Sequence, residues 1–230
     1  MKRCFLLAIC MFVSYYCLSA QTLAVKGVTV DGNVLTFVSK LESQGWKFSE
    51  YGFRENGSET MYKKTKGELL SAHKPIPMSG KLLDQEVYVL VYYTKTTQLV
   101  YNVEIMFFRN PDDGIHYFGS KLNSAKNMYN GLKQQFQKKY NAPFDAEEYE
   151  TGNITGNEVY LDIHAGRTTY ITGYRAAPMG QVLLSISTTC TKIGNSKYPN
   201  HSLCVLLNYV NIENQKKNKA EINDVIQSEI

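Results

Sequence analysis

The stretch GVTVDGNVLTFVSKLESQGWKF, Gly27–Phe48, is punctuated at both ends, and the reading of those ends decides the fold. Asp31-Gly32-Asn33 has the composition of a ligand loop. Val34, Phe37, Val38 and Leu41, however, recur at i, i+3, i+4 and i+7, which is one face of a helix. On that reading Asp31 is the N-cap, its carboxylate accepting from the free amides of the first turn. Gly45 stands where the chain must leave the helix left-handed, and Trp46 packs back on Leu41, a Schellman ending. A phosphate-cradling loop would need more glycines in register, and neither a Walker-type nor a dinucleotide pattern is present. The spacing predicts a helix over about 32–44.

Upstream, Lys2 and Arg3 precede an apolar run from Cys4 to about Leu18, and Leu18-Ser19-Ala20 comes before Gln21. That is the layout of a secretory signal peptide, residues 1–20, cut near Ala20-Gln21. An N-terminal membrane anchor is the other reading, but the run is short for a bilayer. Cys17 follows Tyr15 and Tyr16 rather than small residues, which argues against lipidation. The expectation is a periplasmic or secreted protein with no membrane span in the mature chain. Residues 21–230 then form a single α+β domain, with two sub-lobes meeting near 142–156 as a variant. Lys2 and Arg3 leave with the signal, so 23 basic side chains face 21 acidic ones. So even a balance lacks the basic stripe that nucleic-acid binding needs.

Of five cysteines, Cys190 and Cys204 remain after the signal. They flank TKIGNSKYPNHSL between two strand-like runs. If residue 190 faces 204 and 186 faces 208, a disulfide closes a loop of about fifteen residues and stabilises by about 3 kcal/mol. The alternative is two buried free thiols.

Downstream of the first helix, Glu59–Leu70 reads as one or two strands, and HKPIPMSGK as a turn or rim. DQEVYVLVYYTKTTQLVYNVEIMFF reads as a hairpin around Thr94–Gln98. In its second arm Tyr101, Val103, Ile105 and Phe107 alternate with Asn102 and Glu104, a strand with one wet face. The first arm, Val87–Tyr93, is apolar on both faces and so central. RNPDDG, Arg109–Gly114, is a turn by composition. Leu122, Ala125, Met128, Tyr129, Leu132, Phe136 and Tyr140 keep helical spacing, predicting a second main helix over about 120–140, ended by Asn141 and Pro143. Further strands are read at Val159–Ile163, Thr168–Arg175, Gln181–Cys190 and Leu203–Ile212. Asn214–Ile230 reads as a peripheral C-terminal helix. No internal repeat is visible. The fold class is α+β, an antiparallel sheet with the two main helices on one face.

These landmarks resemble a group of secreted Bacteroidetes proteins of unknown function. The resemblance rests on VTVDG with Phe37, Leu41 and Gly45-Trp46, on LKQQFQKKYNAP with Asn141 where glycine is usual, and on LNYVNIENQKKN near the end. It implies a secreted α+β protein with an antiparallel sheet, and it carries over no catalytic residues. A looser likeness is to β-lactamase-inhibitor-like and outer-membrane-assembly lipoprotein architectures, which pair helices with an antiparallel sheet; fold alone does not fix function.

Catalytic and metal patterns are sparse. No two of His73, His116, His164 and His201 stand i, i+4 on a helix, and the cysteines lack metal-ligand spacing, so no cofactor and no metal are expected. Asp162 and His164 would share a strand face, where a carboxylate could orient an imidazole. No glycine-flanked nucleophile serine appears. Asp145, Glu147, Glu148 and Glu150 read as a solvated face rather than a glycosidase pair. Asp112-Asp113-Gly114 lacks the oxygens that calcium requires.

Tyrosine is the compositional oddity, 17 in the whole chain. Tyr88 and Tyr92 share a strand face with Leu90, opposite Val87, Val89 and Val91. With Tyr170 and Tyr174 they are the candidate partner-binding residues, since tyrosine is rigid with one polar tip. The alternative is plain sheet lining, which strand propensity favours. Three functions stay open: a non-enzymatic binding protein of the envelope, recognising another envelope protein or a glycan; an envelope hydrolase in which His164 or His116 meets a carboxylate; or a structural envelope component.

Overall fold

A computed structural model describes residues 22–49, 51–53, 59–61, 64–107, 122–140, 143–150, 159–176, 179–191 and 200–228. The expected signal peptide, the Arg109–Gly114 turn, His116 and the Asn141 helix end lie outside the described residues.

The chain runs β1 (Ala24–Val25), β2 (Val28–Thr29), α1 (Val34–Ser43), β3 (Lys47–Phe48), β4 (Tyr51–Phe53), β5 (Glu59–Met61), α2 (Lys66–Ser71), β6 (Ile76–Leu82), β7 (Gln85–Tyr93) and β8 (Val100–Phe107). It continues α3 (Leu122–Tyr140), β9 (Asp145–Glu150), α4 (Val159–His164), β10 (Thr168–Ala176), β11 (Gly180–Thr191), β12 (Asn200–Asn211) and α5 (Ile212–Ser228). Eight strands form one antiparallel sheet in the order β3-β6-β7-β8-β12-β11-β10-β9. The protein is α+β, as the sequence predicts.

The order of elements repeats. A helix, a strand, a segment with a short helix, and a three-strand meander occur as α1, β3, α2, β6-β7-β8, then again as α3, β9, α4, β10-β11-β12. The last strands of the two halves, β8 and β12, pair antiparallel, so the sheet order reads the same from either edge. This pseudo-twofold is a property of topology, which the divergent side chains conceal in the sequence.

The opening helix forms where its face predicts: Val34, Phe37, Val38 and Leu41 are its buried residues. Its N-cap, however, is Asn33, whose side-chain oxygen accepts from the Leu35 amide at 2.9 Å. Asp31 instead accepts from the Thr29 hydroxyl at 2.8 Å. The C-terminus closes as a Schellman motif: the Gly45 amide donates to Glu42 O at 2.9 Å and the Trp46 amide to Leu41 O at 3.2 Å. Gly45 takes φ 88°, where a Cβ is strained. Trp46 is then buried against Gly80 of β6, whose missing side chain leaves room for the indole.

Four expectations need correction. Lys66–Ser71 is a helix, not strand, because Thr65 and Glu68 make a capping box: the Thr65 hydroxyl accepts from the Glu68 amide, and the Glu68 carboxylate accepts from the Thr65 amide at 2.6 Å. Ile76–Leu82, which overlaps the stretch HKPIPMSGK read as a turn or rim, is a sheet strand. Pro77 is tolerated there because its carbonyl accepts from Ser49 on the β3 side, and the N–H and C=O of one strand residue point to the same neighbour; its absent donor is therefore taken from the side where β3 has ended, not from the β7 ladder. Val159–His164 is helical, closed by Arg167, which bonds both the carbonyl and the carboxylate of Asp162. The β11–β12 register sets Cys204 opposite Ser187 and Cys190 opposite His201. The offset of three residues is about 10 Å along the strand, beyond the Cα separation a disulfide spans. Cys204 is a buried free thiol.

The main core lies between one face of the sheet and helices α1 and α3. Val87, Val89 and Val91 of β7, Val103, Ile105 and Phe107 of β8, and Val205, Leu207 and Tyr209 of β12 meet Leu41, Leu132 and Phe136 there. The α5 helix has no fully buried residue and is held to the β7–β8 turn by polar bonds: Asn218 accepts from the Lys95 amide, and Glu221 from the Thr96 amide at 2.6 Å.

Two glycines separate close packing from open space. A Cβ on Gly80 would stand 2.5 Å from the Trp46 ring, whereas nothing lies within 4 Å of one on Gly131 in α3. Gly80→Ala should destabilise by about 1–3 kcal/mol and Gly131→Ala should stabilise by about 0.5–1 kcal/mol, both read by chemical denaturation. Ellman's reagent should spare Cys204 until the chain is unfolded, and a peptide map without reductant should contain no 190–204 cross-link.

Candidate functional site

Side chains of the central strands that point away from α1 and α3 form a second, separate cluster. Leu90, Met106 and Cys204 are buried in it, with Tyr88, Tyr92 and Leu206 half-buried against them. All six come from strands β7, β8 and β12. The sheet register arranges this face as rows across the three strands. One row is Tyr88, Met106, Leu206; the next is Leu90, Glu104, Asn208; the third is Tyr92, Asn102, Val210. A β-bulge between Tyr92 and Tyr93 takes Tyr101 out of the alternation, and the Tyr92 and Tyr101 rings stand 6.2 Å apart.

Glu104 occupies the centre of that array. Its carboxylate makes no hydrogen bond or ion pair with any described residue, and burial raises its carboxyl above the ordinary range. The Asn102 amide donates to Asn208 Oδ1 at 3.3 Å, while Asn102 Oδ1 is buried without a partner. Burial pushes the Cys204 thiol up to about 12, with the charge of Glu104 adding to the effect, so this cysteine is inert as a nucleophile.

The face extends towards β10. Leu183 adjoins Gly173, and the Phe144 ring lies over the bare Cα of Gly173 with the Arg175 guanidinium 5.4 Å above it. Ile171 and Phe144 are 40% and 39% exposed. At the β3 end a cleft of about 600 Å³ opens beside Tyr88, lined by Lys26, Trp46, Lys47, Lys81 and Glu86 among others.

The four candidate tyrosines do not stay together. Tyr88 and Tyr92 share the second face with Leu90, as the alternation predicts. Tyr170 and Tyr174 lie on the opposite face, 7% and 0% exposed beneath α3. Tyr170 packs edge-on to Tyr129, and the Tyr174 hydroxyl donates to Lys133 O at 2.9 Å. Their rings are core, because β10 turns its odd-numbered residues, Ile171 and Gly173, to the second face.

The crowded carboxylates of 145–150 lie on β9. Glu148 accepts from the Tyr129 hydroxyl at 2.9 Å and pairs with Lys133, and Tyr129 also bonds Thr172 at 2.5 Å. Burial alone would raise the Glu148 carboxyl, but the hydrogen bonds from Lys133 and Tyr129 outweigh it and hold it low. His164 is exposed and its side chain makes no hydrogen bond or ion pair with a described residue; its expected partner Asp162 is bound to Arg167 at 2.6 Å. On a helix, positions 162 and 164 point away from one another. Among the described residues no group of three or more His, Cys, Asp or Glu could hold a metal ion, and no helix is long and apolar enough to cross a membrane.

Glu104 is the residue that sequence reasoning passed over. It was legible only as one wet position in an alternating strand. Its neighbours arrive from β7 and β12, more than ten and a hundred residues away in the chain. No protein-family model, curated protein or solved structure matches the chain.

The raised Glu104 pKa fixes the sign of a pH effect. Protonation is favoured in the folded state, so this group's contribution to stability is complete below its unfolded value of 4.5 and is lost as pH rises through the folded value. Glu104→Gln should raise the denaturation midpoint at pH 7–8 relative to the parent and lose that advantage near pH 4, read by urea titration at both pH values.

Proposed function

We propose that this is an exported, non-enzymatic binding protein whose second sheet face, around Tyr88 and Tyr92, docks another envelope protein. The observation that carries this reading is the aromatic and aliphatic cluster built on the sheet face opposite the main core, with Tyr88, Tyr92 and Leu206 only half-buried. Tyrosines interleaved with Leu90, Met106 and Leu206 suit a protein surface, because large rigid rings beside aliphatic carbon bury apolar area at low entropic cost. A glycan platform would present flat exposed rings edged with donors, whereas here Leu90 and Met106 fill the space between the rings. The exposed Ile171 and Phe144 extend the apolar surface across several strands. Export rests on the signal-like residues 1–20.

A random peptide display library and a glycan array, each screened against the purified protein, test the reading. Binding of enriched peptides should weaken at least ten-fold on combining Tyr88→Ala with Tyr92→Ala, with circular dichroism and the thermal midpoint reporting an intact fold. Unchanged peptide affinity would clear this face, and glycan binding lost with the same tyrosines would replace the protein partner by a sugar.

A further inference from the structure

The inference deepens the reading just given and rests on it: the second face recognises charge as well as shape. We propose that Glu104, with Asn102 beside it, is the receptor for a cationic side chain, lysine or arginine, presented by the protein partner.

Glu104 lies midway along β8, the fourth of eight strands, and its cross-strand neighbours are Leu90 and Asn208. Directly opposed residues in an antiparallel pair stand about 5 Å apart and diagonal ones about 7–8 Å. Tyr88, Tyr92, Leu206 and Val210 occupy the four diagonals. A carboxylate is thus placed among aromatic, aliphatic and amide side chains and given no donor from the described chain.

Such a placement works against folding. A half-buried carboxylate without a partner loses hydration and gains nothing in return. Every other half-buried acid of the described structure is compensated: Glu42 by Lys66, Glu221 by the Thr96 and Thr97 amides, Asp162 by Arg167. Glu104 alone among them awaits its donor. The same holds for the adjoining amide, since Asn102 Oδ1 is buried and unbonded. Two acceptors two residues apart on one strand face, both lacking donors, call for a group that carries several. An ammonium has three donors and a guanidinium five.

The surroundings select a cation rather than a neutral donor. Tyr88 and Tyr92 flank Glu104 along β7, where their ring faces can attract a positive charge. The apolar surround excludes water from the contact, which strengthens a charge-assisted hydrogen bond. Such an arrangement is that of an interface hot spot, a polar anchor enclosed by an apolar rim.

The test uses the peptides that bind the parent protein and are lost on combining Tyr88→Ala with Tyr92→Ala. Each lysine in them is replaced by acetyl-lysine and each arginine by citrulline, which removes charge while keeping length. One such replacement should weaken binding to the parent at least ten-fold. The same replacement should change binding to the Glu104→Gln protein less than two-fold, because the two changes remove one interaction. Glutamine keeps the shape of the side chain, and circular dichroism verifies the fold. Peptides that depend on Tyr88 and Tyr92 but are indifferent to charge removal, or that respond to it equally in both proteins, would overturn the role of Glu104 and leave the docking face standing. Absence of any tyrosine-dependent peptide would overturn both.

Discussion

The pairing of β8 with β12 is the constraint on which the rest depends. Each is the last strand of its half, and their ladder is the only sheet seam that joins the halves among the described residues. Its register sets Phe107 opposite Val205, Ile105 opposite Leu207 and Val103 opposite Tyr209, so both halves contribute to one core under α1 and α3. The intervening positions necessarily emerge on the other face: Met106 with Leu206, Glu104 with Asn208, Asn102 with Val210. A slip of one residue would bury Glu104 in the main core and expose Ile105. The apolar core therefore determines where the polar centre of the second face must be.

What could be read in advance was whatever is encoded within a few residues. α1 was legible because its apolar face, its capping region and Gly45 all lie within one short stretch; only the choice between Asp31 and Asn33 as cap escaped, since both residue types cap well and the register of the first turn decides. α3 and the β7–β8 hairpin were legible for the same reason. The Thr65-Lys66-Gly67-Glu68 capping box is equally local, but it opens a helix of only six residues, too short for a clear apolar period. β6 was masked by Pro77, which normally argues against a strand and is harmless here because β3 has ended beside it. Val159–Ile163 has strand-like composition, and the helix is decided by a tie to Arg167 beyond the run.

Features set by pairing between distant segments were not legible. The β11–β12 register is one, and with it the fate of Cys204, because equal spacing from a loop centre does not determine which residues face one another. The division of the tyrosines is another. Alternation states that Tyr170 and Tyr174 share a face, but only the position of α3 states that this face is the covered one. The repeat of element order belongs here as well, since it resides in connectivity rather than in side chains.

Two glutamates show how environment separates structure from recognition. Glu148 and Glu104 are the same residue on two strands of one sheet, yet their carboxyls shift in opposite directions. Glu148 lies on the helix side, where Lys133 and Tyr129 reach it from α3, and its bonds hold that helix to β9 and β10. Its removal would loosen the fold. Glu104 lies on the other side, where no helix residue joins the cluster and the nearest side chains are apolar, aromatic or amide. No bond of the described fold depends on its charge, and the fold would be better served by an uncharged residue at that position. A side chain that costs stability where it stands, at the centre of the second face with its acceptors unmet by any described residue, finds its physical rationale in a contact that the described chain does not supply.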